Sequence, residues 1–167
     1  MTHKGFVLAL ALFSSLGCND EPDCALIAGF TGDFSGSAEW ALTGEESCGL
    51  IDLPAAGGTP RSTIAFIKGS EYFLVGVNTP LLDIGTYFGQ VTFVTTQGHI
   101  WTSGVSDCVV EISEFELEEW TQLNFISIQG TIECADPLTS ATAGPLTVTN
   151  GAFRGHIYDK FVAFSGY

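Results

Sequence analysis

The chain has 167 residues, of which 19 are acidic and five are lysine or arginine, so its formal net charge is −14. Nucleic-acid binding needs clustered basic side chains that replace counterions, and electrostatic adhesion to anionic lipid needs them as well. The composition therefore excludes nucleic acid and an anionic membrane surface as electrostatic partners.

The first 17 residues are predicted to form a secretory signal peptide. Lys4 precedes an apolar run from Gly5 to Leu16, and small residues lead into Cys18. A short basic region, an apolar core of about 7–15 residues and a small-residue cleavage site are typical of such peptides. The run is shorter than the roughly 20 apolar residues that a bilayer span requires. A buried N-terminal helix is the alternative, and the polar residues that begin at Asn19 argue against it.

The cleavage region Ser15-Leu16-Gly17-Cys18 resembles the lipobox of bacterial lipoproteins, in which the cysteine is lipidated and becomes the new N-terminus. Gly17 and Cys18 match that pattern, whereas Ser15 and Leu16 stand where it prefers leucine and a small residue. The resemblance implies a palmitate-type acyl anchor on Cys18, and a protein held in the bacterial cell envelope that faces the periplasm or the exterior. Ordinary secretion, with Cys18 free or paired, is the alternative.

The cysteine count agrees with the lipid interpretation. The chain has five cysteines, and an odd number in an exported protein leaves one thiol without a disulfide partner. If Cys18 carries lipid, four cysteines remain for two disulfides in an oxidising compartment. These four are Cys24, Cys48, Cys108 and Cys134.

The rest of the chain is predicted to be a short tether over residues 18–23 and a single β-domain over residues 24–167. Short β-branched and aromatic runs alternate with glycine, proline and asparagine, which is typical of strands joined by turns. The pattern predicts an all-β antiparallel sandwich or flattened barrel of about nine or ten short strands. Eleven segments are candidates for these strands, namely 30–42, 47–53, 63–67, 71–77, 84–95, 98–103, 108–118, 123–134, 146–149, 152–158 and 161–164, with a turn at Asn150-Gly151.

The hairpin formed by residues 108–118 and 123–134 allows a register to be predicted. A turn centred on Thr121 opposes Cys108 to Cys134 on the same face as further apolar pairs. Opposed residues lie about 4.5–5.5 Å apart at Cα, which is within reach of a disulfide. The apolar residues are even-numbered up to Ile112 and odd-numbered from Phe115 onward. A β-bulge near Ser113 would keep both groups on the same face of the strand. This register favours the pairings Cys108–Cys134 and Cys24–Cys48, and a different connectivity is the alternative.

No catalytic, cofactor or metal motif is evident. His99 and His156 lack a CxxC or HxxxH context for zinc, and disulfides would consume the thiols. The serine motif Gly-x-Ser-x-Gly and phosphate-binding glycine loops are also absent. We therefore expect no metal, no cofactor and no catalytic residue.

Acidic side chains crowd one segment, namely Glu111, Glu114, Glu116, Glu118 and Glu119. On a strand, glutamates that alternate with Phe115 and Leu117 form a solvated face opposite a core face. The alternatives are paired-carboxylate catalysis and a calcium site, for which Glu45-Glu46 and residues 18–23 offer further acids.

Three aromatic residues are candidate ligand contacts because exposed aromatic rings stack on sugars and line ligand mouths. They are Trp101, Trp120 and Tyr87, of which Trp120 lies at the predicted hairpin tip among acids.

The segments Phe125–Cys134 and Leu146–Gly155 resemble the C-terminal pattern of uncharacterised bacterial lipoproteins. The resemblance implies an antiparallel sandwich in the envelope and carries no activity. We therefore expect a non-enzymatic binding or scaffolding module whose partner is an envelope protein, a glycan or a small apolar ligand. A secreted hydrolase that acts on glycans through carboxylates is the alternative.

Replacing Cys18 by serine tests the anchor. The protein made from the full gene in a bacterium should partition into the detergent phase, because two or more acyl chains anchor a protein stably. The Cys18→Ser protein should stay in the aqueous phase. Equal partitioning of the two proteins would contradict the lipid anchor.

Overall fold

Strands form wherever apolar side chains alternate with polar ones, because successive side chains of a strand point to opposite faces of its sheet. The computed structural model describes residues 24–32, 36–42, 48–54, 60–81, 83–120 and 123–159. Within these ranges the chain forms ten strands, namely β1 (Cys24–Gly32), β2 (Gly36–Leu42), β3 (Cys48–Pro54), β4 (Pro60–Lys68), β5 (Glu71–Val77), β6 (Gly85–Val94), β7 (Ile100–Thr102), β8 (Cys108–Trp120), β9 (Leu123–Cys134) and β10 (Leu146–Asp159).

The strands form one sheet in the order β2-β1-β10-β3-β4-β5-β6-β8-β9, with β7 paired to β6 beside this path. A further pairing of β9 with β10 closes the run of strands from β10 to β9. One edge of β10 is shared between β1, which is antiparallel to it, and β3, which is parallel to it at Tyr158 and Asp159. The other edge of β10 pairs with β9. The result is a nearly closed, barrel-like sheet, which confirms the predicted all-β class.

Strand β6, like β10, pairs with two different strands along one of its edges. Its first half pairs with β8 and its last three residues pair with β7, while β5 follows its other edge. Ser103 fills the gap between β7 and β8. Its backbone N–H donates to the Val91 carbonyl, and its hydroxyl accepts the Val91 N–H, each at 3.0 Å. This pair of hydrogen bonds satisfies the β6 backbone where the sheet turns a corner.

An aromatic cluster fills the interior between the β1–β2 hairpin and strands β5 to β7. The ring of Phe93 on β6 stacks on Phe30 of β1 at a centroid distance of 4.6 Å. The rings of Phe73, Trp40 and Trp101 lie within 6.5 Å of Phe93. All five side chains are buried, so the hairpin packs across the barrel and flattens it.

Both predicted disulfides are present. Cys24 is bonded to Cys48, and Cys108 is bonded to Cys134. The first disulfide joins the starts of β1 and β3, the two strands that share one edge of β10. The second joins directly opposed residues of β8 and β9.

The predicted hairpin register is confirmed from Cys108 to Ile112, and beyond the bulge the pairing is shifted by one residue. Cys108 opposes Cys134, and the register shifts between Ile112 and Glu114, where the bulge near Ser113 was expected. Beyond the bulge, Phe115 of β8 opposes Ile128 of β9. Ile128 also opposes Gly155 of β10, and Gly155 opposes Cys24 of β1, so these four residues form one row across the sheet.

The single strand predicted over residues 30–42 is wrong. The chain forms two antiparallel strands there, β1 and β2, in which Leu26 opposes Trp40. Gly32 ends β1 with a φ of 130°, and a Cβ at this position would collide with the Pro145 carbonyl oxygen. The glycine therefore ends the strand and does not bend a longer one.

The predicted turn at Asn150-Gly151 is also wrong, because β10 continues through it. Ala28 of β1 lies opposite both Asn150 and Gly151, between the registered pairs Ile27–Ala152 and Gly29–Thr149. Asn150 has a φ of 51°, which asparagine tolerates better than most residues. The pair is a β-bulge inside a long strand. The predicted strand at 161–164 lies outside the described residues, as do residues 1–17 and 18–23 and Cys18.

Removing the Cys108–Cys134 disulfide should lower the free energy of unfolding by about 3–4 kcal/mol, because the bond closes a loop with a sequence separation of 26. Chemical denaturation of the Cys108→Ala, Cys134→Ala protein would measure the loss.

The control is the adjacent opposed pair Val109 and Glu133, which is exposed on the same two strands. Replacing both by alanine should change stability by less than about 1 kcal/mol. A disulfide effect no larger than that of this control would contradict the loop-entropy estimate.

Candidate binding surface

The three aromatic candidates differ in location. Trp101 is 2% exposed and belongs to the core, where its indole Nε1 donates to the Gly144 carbonyl at 2.9 Å. Tyr87 is partly buried against the core, and its hydroxyl donates to the Asp83 carbonyl at 2.8 Å. Trp101 and Tyr87 thus connect strands to loops inside the domain. The Trp120 side chain lies outside the described residues.

The three glutamates of β8 whose side chains the structure describes point away from the core. Glu111, Glu114 and Glu116 are exposed, while Phe115 between them packs against the core. Glu114 accepts a hydrogen bond of 2.8 Å from the Ser127 hydroxyl, and His156 of β10 opposes Ser127 in the register. The hydrolase alternative stays a prediction.

The other candidate groups are found in structural contacts or outside the described residues. The His99 Nδ1 lies 3.2 Å from the Thr142 hydroxyl, and its ring packs near Trp101. Within the described ranges no three His, Cys, Asp or Glu side chains are grouped to hold a metal ion. Glu45 and Glu46 lie outside those ranges. No helix within them has the length and apolar character needed to cross a membrane.

The most exposed aromatic side chain among the described residues is not one of the three predicted candidates. Phe88 of β6 is 61% exposed and directly opposes Val109 of β8, which is 37% exposed. Both point outward, since their neighbours Gly89 and Cys108 are buried. Val105, 45% exposed, lies in the loop that precedes β8. We refer to Phe88, Val105 and Val109 as the Phe88 face.

Hydrogen bonds hold the backbone of this face in place. The N–H of Asn78 donates to the Phe88 carbonyl at 3.0 Å, and its side-chain amide donates to the Val105 carbonyl at 2.7 Å. The Asp107 carboxylate accepts the Gly104 N–H at 2.8 Å, which closes the loop that carries Val105. The face is therefore preorganised, and a partner would not have to order it on binding.

Two carboxylates border the Phe88 face. Glu133 of β9 opposes Val109, and Glu111 lies two residues beyond Val109 on the same face of β8. Both side chains are exposed. The registered neighbours of Glu111 are Thr86 and Thr131, neither of which is basic. The face thus combines an apolar centre with an acidic border.

Strand parity is the sequence signal that could have identified Phe88. Val91 and Phe93 are core residues on β6, and Tyr87 shares their parity, whereas Phe88 shares the parity of Gln90 and Thr92. An aromatic side chain on the polar parity of a strand is an exception to the alternation, and so indicates a surface role.

The chain matches no known protein family, no curated protein and no solved structure.

Gly89 is expected to control the backbone beneath the Phe88 face. A Cβ at Gly89 would fall on the Gly76 carbonyl oxygen and lie 3.1 Å from its carbonyl carbon. Gly89→Ala should therefore destabilise the domain by about 1–3 kcal/mol, as overpacking does. Thermal and denaturant unfolding would measure the change.

Gly76→Ala is the matched control on the adjacent strand β5. A Cβ there would lie 3.6 Å from the Thr63 hydroxyl and 3.7 Å from the Gln90 carbonyl oxygen, which are ordinary contacts. This variant should be as stable as the wild type or slightly more stable. Equal losses in the two variants would show that the close approach at Gly89 is unimportant.

Proposed function

We propose that this chain is a non-enzymatic lipoprotein of the bacterial cell envelope, anchored through lipid on Cys18, which binds a partner protein through the Phe88 face. The observation that supports binding is the placement of Phe88 opposite Val109 on the outer surface of the sheet. The signal-peptide pattern and the odd cysteine count support the anchor. The two disulfides agree with an oxidising compartment.

Covering Phe88 would stabilise a complex appreciably. An aromatic side chain presents about 150–250 Å² when fully exposed, so the 61% that is exposed here corresponds to roughly 90–150 Å². At about 25 cal/mol per Å², burying that surface contributes about 2–4 kcal/mol. This value lies within the range of an interface hot spot.

A protein fits the Phe88 face better than the other partners considered. Aromatic side chains are enriched in protein interfaces, whose buried centres are apolar, and the ring of Phe88 has the aliphatic Val109 directly opposite. A small apolar ligand is usually enclosed in a concave pocket. The Phe88 face instead lies on the outside of the sheet, as protein interfaces do.

Site-specific photocrosslinking tests this proposal. The full-length protein would carry p-benzoylphenylalanine at position 88, 109 or 117 in cells that make it. Leu117 is the matched control, because it is an exposed apolar residue on β8 near the other end of the hairpin. Positions 88 and 109 should give one adduct of the same mass, and position 117 should not give it.

Competition separates a specific complex from a chance encounter. Added unlabelled protein should suppress the adduct, and added Phe88→Ser protein should not. The proposal would be overturned if all three positions gave the same adducts, or if positions 88 and 109 gave none.

A further inference from the structure

We propose that the partner contacts the Phe88 face with a basic amphipathic segment, in which lysine or arginine flanks an apolar side chain. This inference rests on the proposed function, and it specifies the chemistry of the partner at that same face.

The register defines where the negative charges lie relative to the apolar centre. Glu133 opposes Val109, so the two residues are about 4.5–5.5 Å apart at Cα. Glu111 lies two residues from Val109, which is about 6.8 Å along an antiparallel strand. Both carboxylates are therefore within about 5–10 Å of the surface that Phe88 and Val109 present.

An amphipathic helix matches these distances. Side chains three and four residues apart on a helix have Cβ atoms about 5–6 Å apart, so basic residues can flank an apolar residue at the required spacing. An apolar side chain would contact Phe88 and Val109. Basic side chains next to it would then reach Glu111 and Glu133, whose registered neighbours carry no positive charge.

Charge argues against the other occupants of this face. A second copy of the chain would bring the same carboxylates together and would add to the repulsion between two molecules of net charge −14. An anionic lipid surface would be repelled for the same reason. A basic partner is instead attracted before contact, and that attraction weakens as salt shortens the Debye length.

The test uses the whole chain carrying Cys18→Ser, so that no acyl group or detergent can bind the probe. The probe is a synthetic amphipathic helix of about 14 residues made of leucine and lysine. Two matched peptides replace every lysine by glutamate or by glutamine. Binding would be measured by calorimetry and by fluorescence anisotropy of labelled peptide at low and high salt.

The lysine peptide should bind, its affinity should fall with salt, and the glutamate peptide should not bind. Phe88→Ser should raise Kd at least about tenfold, whereas the control Leu117→Ser should change it less than about twofold. Glu111→Gln and Glu133→Gln should each raise Kd about two- to fivefold and reduce the salt dependence. Glu116→Gln, on the same strand but remote from the face, should do neither.

Each contrary result has a distinct meaning. Suppose that the glutamine peptide binds as tightly as the lysine peptide and that Phe88→Ser weakens both. The proposal of a basic partner would then be wrong, and the proposal that the Phe88 face binds a protein would be retained. If Phe88→Ser and Leu117→Ser have equal effects, the lysine peptide binds through general charge attraction, and the inference is overturned. Absence of lysine-peptide binding also overturns it, while the photocrosslinking result decides the proposed function separately.

Discussion

The fold depends on the ability of one long strand to pair with three others. Strand β10 carries β1 and β3 on one edge and β9 on the other, so it joins the first and last strands of the run β3-β4-β5-β6-β8-β9. Without β10, strands β3 and β9 would present unpaired backbone groups, which favour aggregation with other chains. The bulge at Asn150 and Gly151 is part of this arrangement, because bulges increase local twist and bend a strand.

A second shared edge generates the surface that we propose to be functional. Strand β6 leaves β8 at Gly89 and joins β7 at Thr92, so Phe88 lies at the last outward position before the corner. The loop between β7 and β8 crosses the same corner and carries Val105. The Phe88 face therefore lies where β6 exchanges one neighbouring strand for another.

Local patterns predicted the parts of the fold that depend on nearby residues. The β8–β9 register, its bulge and the Cys108–Cys134 bond follow from alternation over one hairpin. The pairing of β10 with β1 joins residues more than 100 positions apart, and alternation contains no information about such partners. The turn expected at Asn150 failed for this reason. Asn-Gly favours a hairpin locally, but β1 pairs with β10 on both sides of Asn150 and β9 pairs with it from Gly151 onward. The chain therefore forms a bulge there and not a turn.

The surface was less predictable than the fold. The exposure of Trp101 could not be inferred from its type, since tryptophan occurs both in cores and at binding sites. Its hydrogen bond to Gly144 depends on a loop distant in sequence, and its contact with Phe93 depends on the pairing of β7 with β6. Phe88 could have been recognised by parity alone. The position of a residue on its strand was thus more informative than its chemical identity.

The row of paired residues from Cys24 to Phe115 determines how far the Phe88 face lies from the proposed attachment point. Val109 is six residues from Phe115 along β8, and the bulge removes one step, so the distance along the strands is about 17–20 Å. Five residues separate Cys18 from Cys24 and span at most about 20 Å. With lipid on Cys18, the tether would enter the domain at the row of Cys24, and the Phe88 face would lie this distance farther along the strands. A partner could then dock from the side without displacing the tether.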